Sequence, residues 1–179
     1  MAIVAYVLHT ERLTLRPVTA ADHAVLLAHW TAPQVRRFLF DDAVVSPGQI
    51  TAMIEDSARS FIAAGYGLWL IRERSGPDLA NTGLAGTGLA GTVGLRPLED
   101  LGPEIVYSLA PSVWGRGYAT EAARAVVAHA LGALGLPEVL AEVDEGNAAS
   151  VAVTERLGMI PVETVAGPAG PVIRYRRTR

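Results

Sequence analysis

The stretch Glu104-Ile-Val-Tyr-Ser-Leu-Ala-Pro-Ser-Val-Trp-Gly-Arg-Gly-Tyr-Ala-Thr-Glu121 decides the fold, because it joins a strand to a helix through a glycine turn. Alternation in its first part predicts a strand with Glu104 and Ser108 on one face and Tyr107 on the other. Pro111 ends this strand, since proline has no N–H to donate. Small and branched apolar residues then recur at helical spacing, namely Ala119, Ala122, Ala123, Val126, Val127 and Ala130.

The turn between this strand and this helix has the features of an anion site. The first N–H groups of a helix lack intrahelical partners, and the helix dipole adds roughly half a positive charge there. Gly115 and Gly117 have no Cβ, so a phosphate can approach the main chain closely. The chain contains no lysine, which excludes a Walker A loop and Schiff-base chemistry on a lysine. A diphosphate held mainly by backbone amides remains, and coenzyme A contains such a group.

The residues Trp114-x-x-Gly117-x-Ala119 resemble the acetyl-CoA loop of the GNAT N-acetyltransferases, which reads Gln/Arg-x-x-Gly-x-Gly/Ala. Trp114 stands where that loop has Gln or Arg, and this departure resembles the ribosomal-protein N-acetyltransferase branch (RimJ/RimL-like). The later Asn147-x-x-Ser150 followed by Glu155-Arg-Leu-Gly-Met159 is similar to a second signature of that branch. So is the opening Thr10-Glu-Arg-Leu-Thr-Leu-Arg-Pro17, and the pieces occur in the right order over nearly the whole chain.

The resemblance implies the GNAT fold, which is a mixed α/β (α+β) fold. Its central sheet is mostly antiparallel, its two central strands splay apart, and helices flank it. One N-acetyltransferase domain over residues 1–179 is expected, with acetyl-CoA as co-substrate and no metal. The implied reaction moves an acetyl group to a primary amine, on a protein N-terminus or a small molecule, by direct attack on the thioester. The alternative is a catalytically idle module that binds or senses acyl-CoA.

The same resemblance assigns residues to acetyl-CoA binding. They are Leu109, Trp114, Gly115, Arg116, Gly117, Tyr118, Ala119, Thr120 and Asn147. Leu109 is expected to act through its main chain, which in this family meets the pantetheine arm like an added strand. Its N–H is the expected donor that polarises the thioester carbonyl. Asn147 resembles a residue that hydrogen-bonds the pantetheine amides, and it is also a candidate N-cap of a short helix.

Two residues are candidates for the chemistry. An alkylamine with a pKa near 10.4 is neutral in only about one molecule in 2,500 at pH 7, which costs about 4.6 kcal/mol. Glu104 is the candidate base, because some GNAT enzymes have a glutamate at a similar position; the alternative is a solvated carboxylate that steers a cationic substrate. Ser150 is the candidate hydrogen-bond donor to the departing sulfur, as the resemblance implies. Its alternative is a helix-start residue that bonds its own backbone.

Other residue types have weaker functional interpretations. The aromatic residues Tyr107, Trp30 and Trp69 can line an acceptor pocket, but large aromatic residues more often fill a core. An acidic mouth for a cationic amine can form from Asp41, Asp42, Glu99, Asp100 and Glu145. The histidines show no metal spacing and receive no role; they are His9, His23, His29 and His129.

Composition bounds the remaining possibilities. With 179 residues, of which 50% are apolar, the chain has enough material for one domain with a proper core. A net charge of −3 and a pI of about 5.8 make nucleic-acid binding an unfavoured interpretation. The absence of cysteine excludes disulfides and thiolate chemistry. No targeting or membrane-spanning pattern is visible, so a cytoplasmic location is expected, with a possible homodimer.

Local signals predict the remaining elements. Residues 8–18 alternate as one strand, and Thr19-x-x-Asp22 is a capping box for a helix through about Trp30. Ser46-Pro47 predicts the start of a longer helix that Gly65 ends, and Tyr66–Glu73 predicts a strand. After the central helix we expect a strand over 139–144, a short helix from Asn147 to Gly158, and a hairpin formed by 159–165 and 172–177.

A five-residue duplication, Gly83-Leu-Ala-Gly-Thr87 and Gly88-Leu-Ala-Gly-Thr92, predicts an expanded hairpin connection. It contains Gly86-x-Gly88-x-x-Gly91, which matches a dinucleotide-binding fingerprint. The residues that follow, 93–97, are typical of a strand. Because that fingerprint needs a helix to hold the pyrophosphate, dinucleotide binding is not expected.

Overall fold

The computed structural model describes residues 6–74, 88–168 and 170–179. The strands are β1 (Leu8–His9), β2 (Leu13–Pro17), β3 (Leu68–Glu73), β4 (Leu89–Leu98), β5 (Gly102–Leu109), β6 (Glu138–Asp144), β7 (Ile160–Gly167) and β8 (Gly170–Thr178). The α-helices are α1 (His23–Thr31), α2 (Pro33–Leu39), α3 (Pro47–Ala64), α4 (Tyr118–Ala128) and α5 (Ala148–Arg156). Among the described residues, no helix is both long enough and apolar enough to cross a membrane.

One sheet contains all eight strands in the order β1-β2-β3-β4-β5-β6-β8-β7. Every neighbouring pair is antiparallel except β5 and β6, which run parallel. These two strands share a single register pair, Glu104 with Leu140, in the part of the chain that the structure describes. They therefore diverge towards their C-terminal ends, which confirms the predicted mixed, mostly antiparallel sheet with splayed central strands.

Helices cover both faces of the sheet, and the alternation within each strand decides which residue faces which helix. On one face, α1, α2 and α3 pack over a cluster that includes Leu26, Ile50 and Leu70. On the other face, α4 and α5 pack over a larger cluster that includes Val126 and Val153. Two layers of helix thus enclose the strands.

Most local predictions are confirmed. Ser46 caps α3 with its side chain, and Gly65 ends that helix in the left-handed conformation, with φ of 78°. The capping box formed by Thr19 and Asp22 encloses a short 3-10 turn, Ala20–Asp22, which continues into α1. Asn147 caps α5, because its side chain accepts the N–H of Ser150.

Two local predictions are wrong or incomplete. Residues 8–18 form two strands rather than one, and Leu8 pairs with Leu15 across an antiparallel turn. Thr10 makes this turn, because its N–H donates to Leu13 O and its hydroxyl accepts the Leu13 N–H. Residues 33–39, for which the sequence patterns above predict no element, form the helix α2.

The first copy of the duplication, and with it most of the predicted hairpin connection, lies outside the described residues, whereas the second copy, 88–92, is described in full. That second copy enters β4, so a strand and not a helix follows Gly91. The dinucleotide fingerprint therefore lacks the helix that it requires.

Candidate active site

The splay between β5 and β6 leaves one edge of β5 without a partner strand near Leu109. The N–H of Ala110 donates to Ala90 O on β4. Because successive residues of an extended chain direct their N–H groups to opposite edges, the Leu109 N–H points away from β4 and into the splay. Leu109 therefore presents main-chain groups there, as its predicted role requires.

The glycine turn after β5 leads directly into α4. Gly115 and Gly117 both have positive φ, 75° and 77°, a conformation that side-chain-bearing residues rarely adopt. Gly117 is the N-cap, and no side chain of the described residues caps this helix. The first N–H group that donates within the helix is that of Glu121, which bonds to Gly117 O. Three N–H groups precede it in the first turn and have no acceptor within the helix, namely those of Tyr118, Ala119 and Thr120. This turn has the donors and the open main chain that a diphosphate needs.

Side chains around the turn take defined positions. Trp114 is 53% exposed, and its indole N–H donates to Leu109 O over 2.8 Å. The tryptophan therefore lies at the mouth of the splay. Arg116 is also exposed, and its guanidinium pairs with Glu73 at 3.1 Å.

A second arginine, Arg12, reaches the glycine turn from the turn between β1 and β2. The Arg12 Nε–H donates to Glu121 Oε2 over 2.7 Å, and its Nη1 donates to Arg116 O over 2.9 Å. Glu121 Oε1 also accepts the Thr10 hydroxyl and the Arg12 main-chain N–H. Burial by itself raises the pKa of the Glu121 carboxyl, but the hydrogen bonds from Thr10 and Arg12 together lower it below its ordinary value.

The start of α5 closes the other side of the splay. The Ser150 N–H donates to Asn147 Oδ1 over 3.1 Å, which is the capping bond. The Tyr107 hydroxyl, which comes from β5, donates to Ser150 O over 3.4 Å. Burial raises the pKa of Tyr107, so its phenol stays neutral and able to donate. Asn147, Ser150 and Leu109 are thus brought to one region, on either side of the gap.

Glu104 occupies the start of β5 on the face towards α1. Its carboxylate is buried rather than solvated, with 2% of the residue exposed, and it accepts the Arg96 Nε–H over 2.6 Å. Burial raises the pKa of Glu104 above its ordinary value, and the charge of Arg96 opposes that rise. Further along the same face, Glu142 accepts two hydrogen bonds from Arg174.

A buried polar chain connects α1 with β4 and β5. His29 Nε2 lies 2.9 Å from Ser108 Oγ, which lies 2.9 Å from Thr92 Oγ1, which accepts the Trp30 indole N–H. The indole N–H can only donate, so Thr92 Oγ1 accepts it and donates its own hydrogen to Ser108 Oγ. Ser108 in turn donates its hydrogen to His29 Nε2. The imidazole hydrogen then lies on Nδ1. Burial lowers the pKa of His29 to about 4, so the ring is neutral at pH 7.

The aromatic residues proposed for an acceptor pocket divide between core and site. Trp69 is fully buried, and its indole N–H donates to Tyr6 O. Trp30 is buried in the cluster under α1. Both are core residues, whereas Tyr107 lies beside the start of α5.

An open acidic cleft of about 400 Å³ lies between the end of α2 and the end of β6. Its lining includes Arg37, Phe38, Asp41, Asp42, Asp144 and Glu145. Burial raises the pKa of Asp144, and the nearby charge of Asp41 adds to this rise. Three of the five predicted acidic residues therefore meet here. Glu99 and Asp100 do not, because they form the turn before β5, at the opposite end of the sheet.

The family profile described as an acetyltransferase (GNAT) domain matches residues 12–160. This chain belongs to the GNAT acetyltransferase family. The GNAT chain is 29% identical over 154 residues to the uncharacterized N-acetyltransferase YoaA of Bacillus subtilis (strain 168), a match that covers 85% of this chain and 81% of YoaA. It is therefore an acyltransferase, and its reaction is acetyl transfer.

Solved structures of other acetyltransferases share this GNAT fold. The acetyltransferase from Agrobacterium tumefaciens str. C58 matches with a TM-score of 0.77 and 27% identity, over 97% of this chain and 94% of that one. RimL, the ribosomal L7/L12 alpha-N-protein acetyltransferase in complex with coenzyme A, matches with a TM-score of 0.76 and 17% identity, over 96% and 97% of the two chains. The second likeness shows the shared fold.

Sequence reasoning missed three residues of the candidate site. The position of Arg96 can be found from the hairpin turn between Leu98 and Gly102. Counting outward from this turn along both strands places Arg96 opposite Glu104. Arg12 lies within the quoted opening motif, but no local pattern links it to Glu121, which is 109 positions away. His29 has no sequence signal, because its partner Ser108 belongs to a distant strand.

Proposed function

We propose that residues 1–179 form one acetyl-CoA-dependent N-acetyltransferase domain, which moves an acetyl group to a primary amine by direct attack on the thioester. One observation supports this most strongly: the free edge of β5 at Leu109 runs straight into the uncapped glycine turn of α4. A thioester carrier whose diphosphate binds that turn has its pantetheine arm in the splay. The membership of the GNAT family supports the same substrate.

In this proposal the main chain binds most of the co-substrate. Gly115, Gly117 and the first turn of α4 offer N–H donors to the diphosphate, and the helix dipole favours its negative charge. Leu109 offers an N–H to the thioester carbonyl, which stabilises the oxyanion that forms during attack. Trp114 and Asn147 flank the arm at the two sides of the gap.

The two faces of β5 carry groups for the two parts of the reaction, which are the attack by the amine and the departure of the thiolate. Glu104 faces the α1 side, whereas Tyr107 and Ser150 lie on the α5 side. An amine that attacks from the α1 side leaves the thiolate to depart towards Ser150, which donates a hydrogen bond to the sulfur. Glu104 precedes Leu109 by five positions, about 16 Å along an extended strand, so in this proposal the amine proton reaches its carboxylate through a chain of several water molecules and not by direct contact.

The acceptor in this proposal is a cationic primary amine. The acidic cleft lies on the α1–α2 side and gives the approach a negative potential, which favours a protonated amine. A peptide N-terminus and a small-molecule amine both meet this description. The Trp114 signature supports the ribosomal-protein branch, and RimL shares the fold.

Release of free thiol from acetyl-CoA tests the proposal. Peptides with free N-termini should be compared with aminoglycoside-type amines and polyamines, at pH 6 to 9. Glu104→Gln should lower kcat most at low pH, where the neutral amine is scarce. Glu138→Gln is the matched control, because Glu138 is also a strand glutamate near an arginine, 3.8 Å from Arg176.

The outcomes separate the parts of the proposal. Full kcat for Glu104→Gln at every pH would exclude Glu104 as base and leave only electrostatic steering. Binding of acetyl-CoA without thiol release for any amine would contradict transfer to amines and support an idle acyl-CoA-binding module. Thermal stabilisation by acetyl-CoA provides the binding measurement, since a ligand at 100 times its Kd adds about 2.7 kcal/mol.

A further inference from the structure

We propose that Arg12 is a positioning residue for the diphosphate loop, the glycine turn formed by Gly115, Arg116 and Gly117: it orients the Arg116–Gly117 peptide so that its N–H faces the ligand. The inference rests on the proposed binding of acetyl-CoA at this turn. Arg12 lies on the turn before β2, and it reaches both the loop and the first turn of α4. No residue of that turn was expected to take part in binding.

The first step concerns the peptide between Arg116 and Gly117. Arg12 Nη1 donates to Arg116 O over 2.9 Å, which fixes the direction of this carbonyl. Cis peptide bonds are absent from the described residues. In a trans peptide the carbonyl and the following N–H point in opposite directions, so the Gly117 N–H points away from Arg12. Arg12 thereby directs this donor towards the side of the loop where the ligand binds.

The second step concerns Glu121, a carboxylate in the first turn of α4. A carboxylate there can accept the free N–H groups of its own helix and repel a diphosphate. The structure prevents Glu121 from accepting these N–H groups, and it weakens the repulsion between Glu121 and a diphosphate. Glu121 accepts hydrogen bonds from the Thr10 hydroxyl, the Arg12 N–H and the Arg12 guanidinium, which hold it on the β2 side. The first-turn N–H groups therefore stay available to the ligand.

The third step is the shape of the Arg12 side chain. Its planar fork holds Glu121 and the Arg116 carbonyl in one geometry, and its guanidinium lies 4.7 Å from the ring centroid of Tyr118. Lysine has the same charge but a single compact ammonium group, which cannot reproduce this arrangement. Arg12→Lys therefore separates positioning from simple charge.

The test measures two dissociation constants on the full chain, for CoA by calorimetry and for pantetheine by ligand-observed NMR. Pantetheine lacks the diphosphate, so it does not use the loop. Arg12→Lys and Arg12→Ala should both weaken CoA binding about tenfold and leave pantetheine binding unchanged. Thr10→Val, which removes one bond to Glu121 together with the turn bond from the Leu13 N–H, should weaken CoA binding about threefold. Arg59→Lys is the control, since Arg59 pairs with Asp56 on the surface of α3.

Several results would overturn the assignment. If Arg12→Lys binds CoA like the wild type while Arg12→Ala does not, Arg12 acts as a charge and not as a positioning residue. If both Arg12 variants weaken the binding of pantetheine as much as the binding of CoA, the role of Arg12 is structural. The same conclusion holds if both variants melt well below the wild type while Thr10→Val binds CoA normally. If the wild type binds CoA no better than pantetheine, the proposed diphosphate loop itself is wrong.

Discussion

Replacing Arg96 by glutamine should destabilise the protein in a strongly pH-dependent way, because it leaves the Glu104 carboxylate buried without its partner. Removing one partner of a fully buried ion pair costs about 3–5 kcal/mol. The Arg96 side chain is 55% exposed, so water can partly replace it. We therefore expect a loss of about 2 kcal/mol in the free energy of unfolding at pH 7.5.

The sign of the pH dependence follows from the Glu104 pKa. Burial already raises this pKa in the folded state, and the loss of Arg96 raises it further. A folded pKa above the unfolded value means that the folded state binds more protons, so its stability falls as the pH rises through the folded pKa. One proton gives a slope of at most about 1.4 kcal/mol per pH unit, and for Arg96→Gln the fall begins above the ordinary pKa of a glutamate. At pH 5 the loss should therefore be less than about 1 kcal/mol.

Urea unfolding at pH 5 and pH 7.5 measures both quantities. Glu104→Gln alone should cost less than Arg96→Gln at pH 7.5, since it removes the buried charge. The double variant Arg96→Gln/Glu104→Gln should recover most of the loss. Arg72→Gln, at an exposed arginine of β3, is the matched control. An equal loss at both pH values, or no recovery in the double variant, would refute the reasoning.

Three further predictions concern single positions. Ser150→Ala should lower kcat about tenfold, because the thiolate is a tolerable leaving group; a steady-state loss beyond about a thousandfold would contradict this estimate. Gly117→Ala should cost about 1–2 kcal/mol, since its φ is 77°, and should weaken CoA binding in calorimetry. Gly132→Ala, at an open helical position, should do neither. His29→Gln should remove a pH-dependent part of stability worth about 3 kcal/mol between pH 6.5 and 4. The cause is the folded His29 pKa of about 4, which lies below the unfolded value, so the stability of the wild type decreases as the pH is lowered from 6.5 to 4. Plots of unfolding free energy against pH that run parallel for the wild type and the variant, measured by chemical denaturation, would exclude this contribution of His29.

Local patterns predicted the parts of the fold that depend on residues close in sequence. The caps at Ser46 and Asn147 each use a partner three positions away, so the pattern contains both halves of the interaction. The strand, turn and helix around Gly117 are likewise neighbours in the chain. The prediction of one strand over residues 8–18 is wrong because the alternation continues across the turn at Thr10. A single strand and a hairpin both fit this alternation.

The sequence by itself determined the strand–glycine turn–helix unit, the order of most elements and the candidate residues on β5 and α5. Only the tertiary structure decided which distant residues meet them: His29 beside Ser108, Arg12 beside Glu121, and Asp41 near Asp144 but far from Glu99. The physical reason is strand register and helix packing. Neighbours in a sheet or across a cleft are chosen by how the whole core closes, and no short window of the chain contains that information.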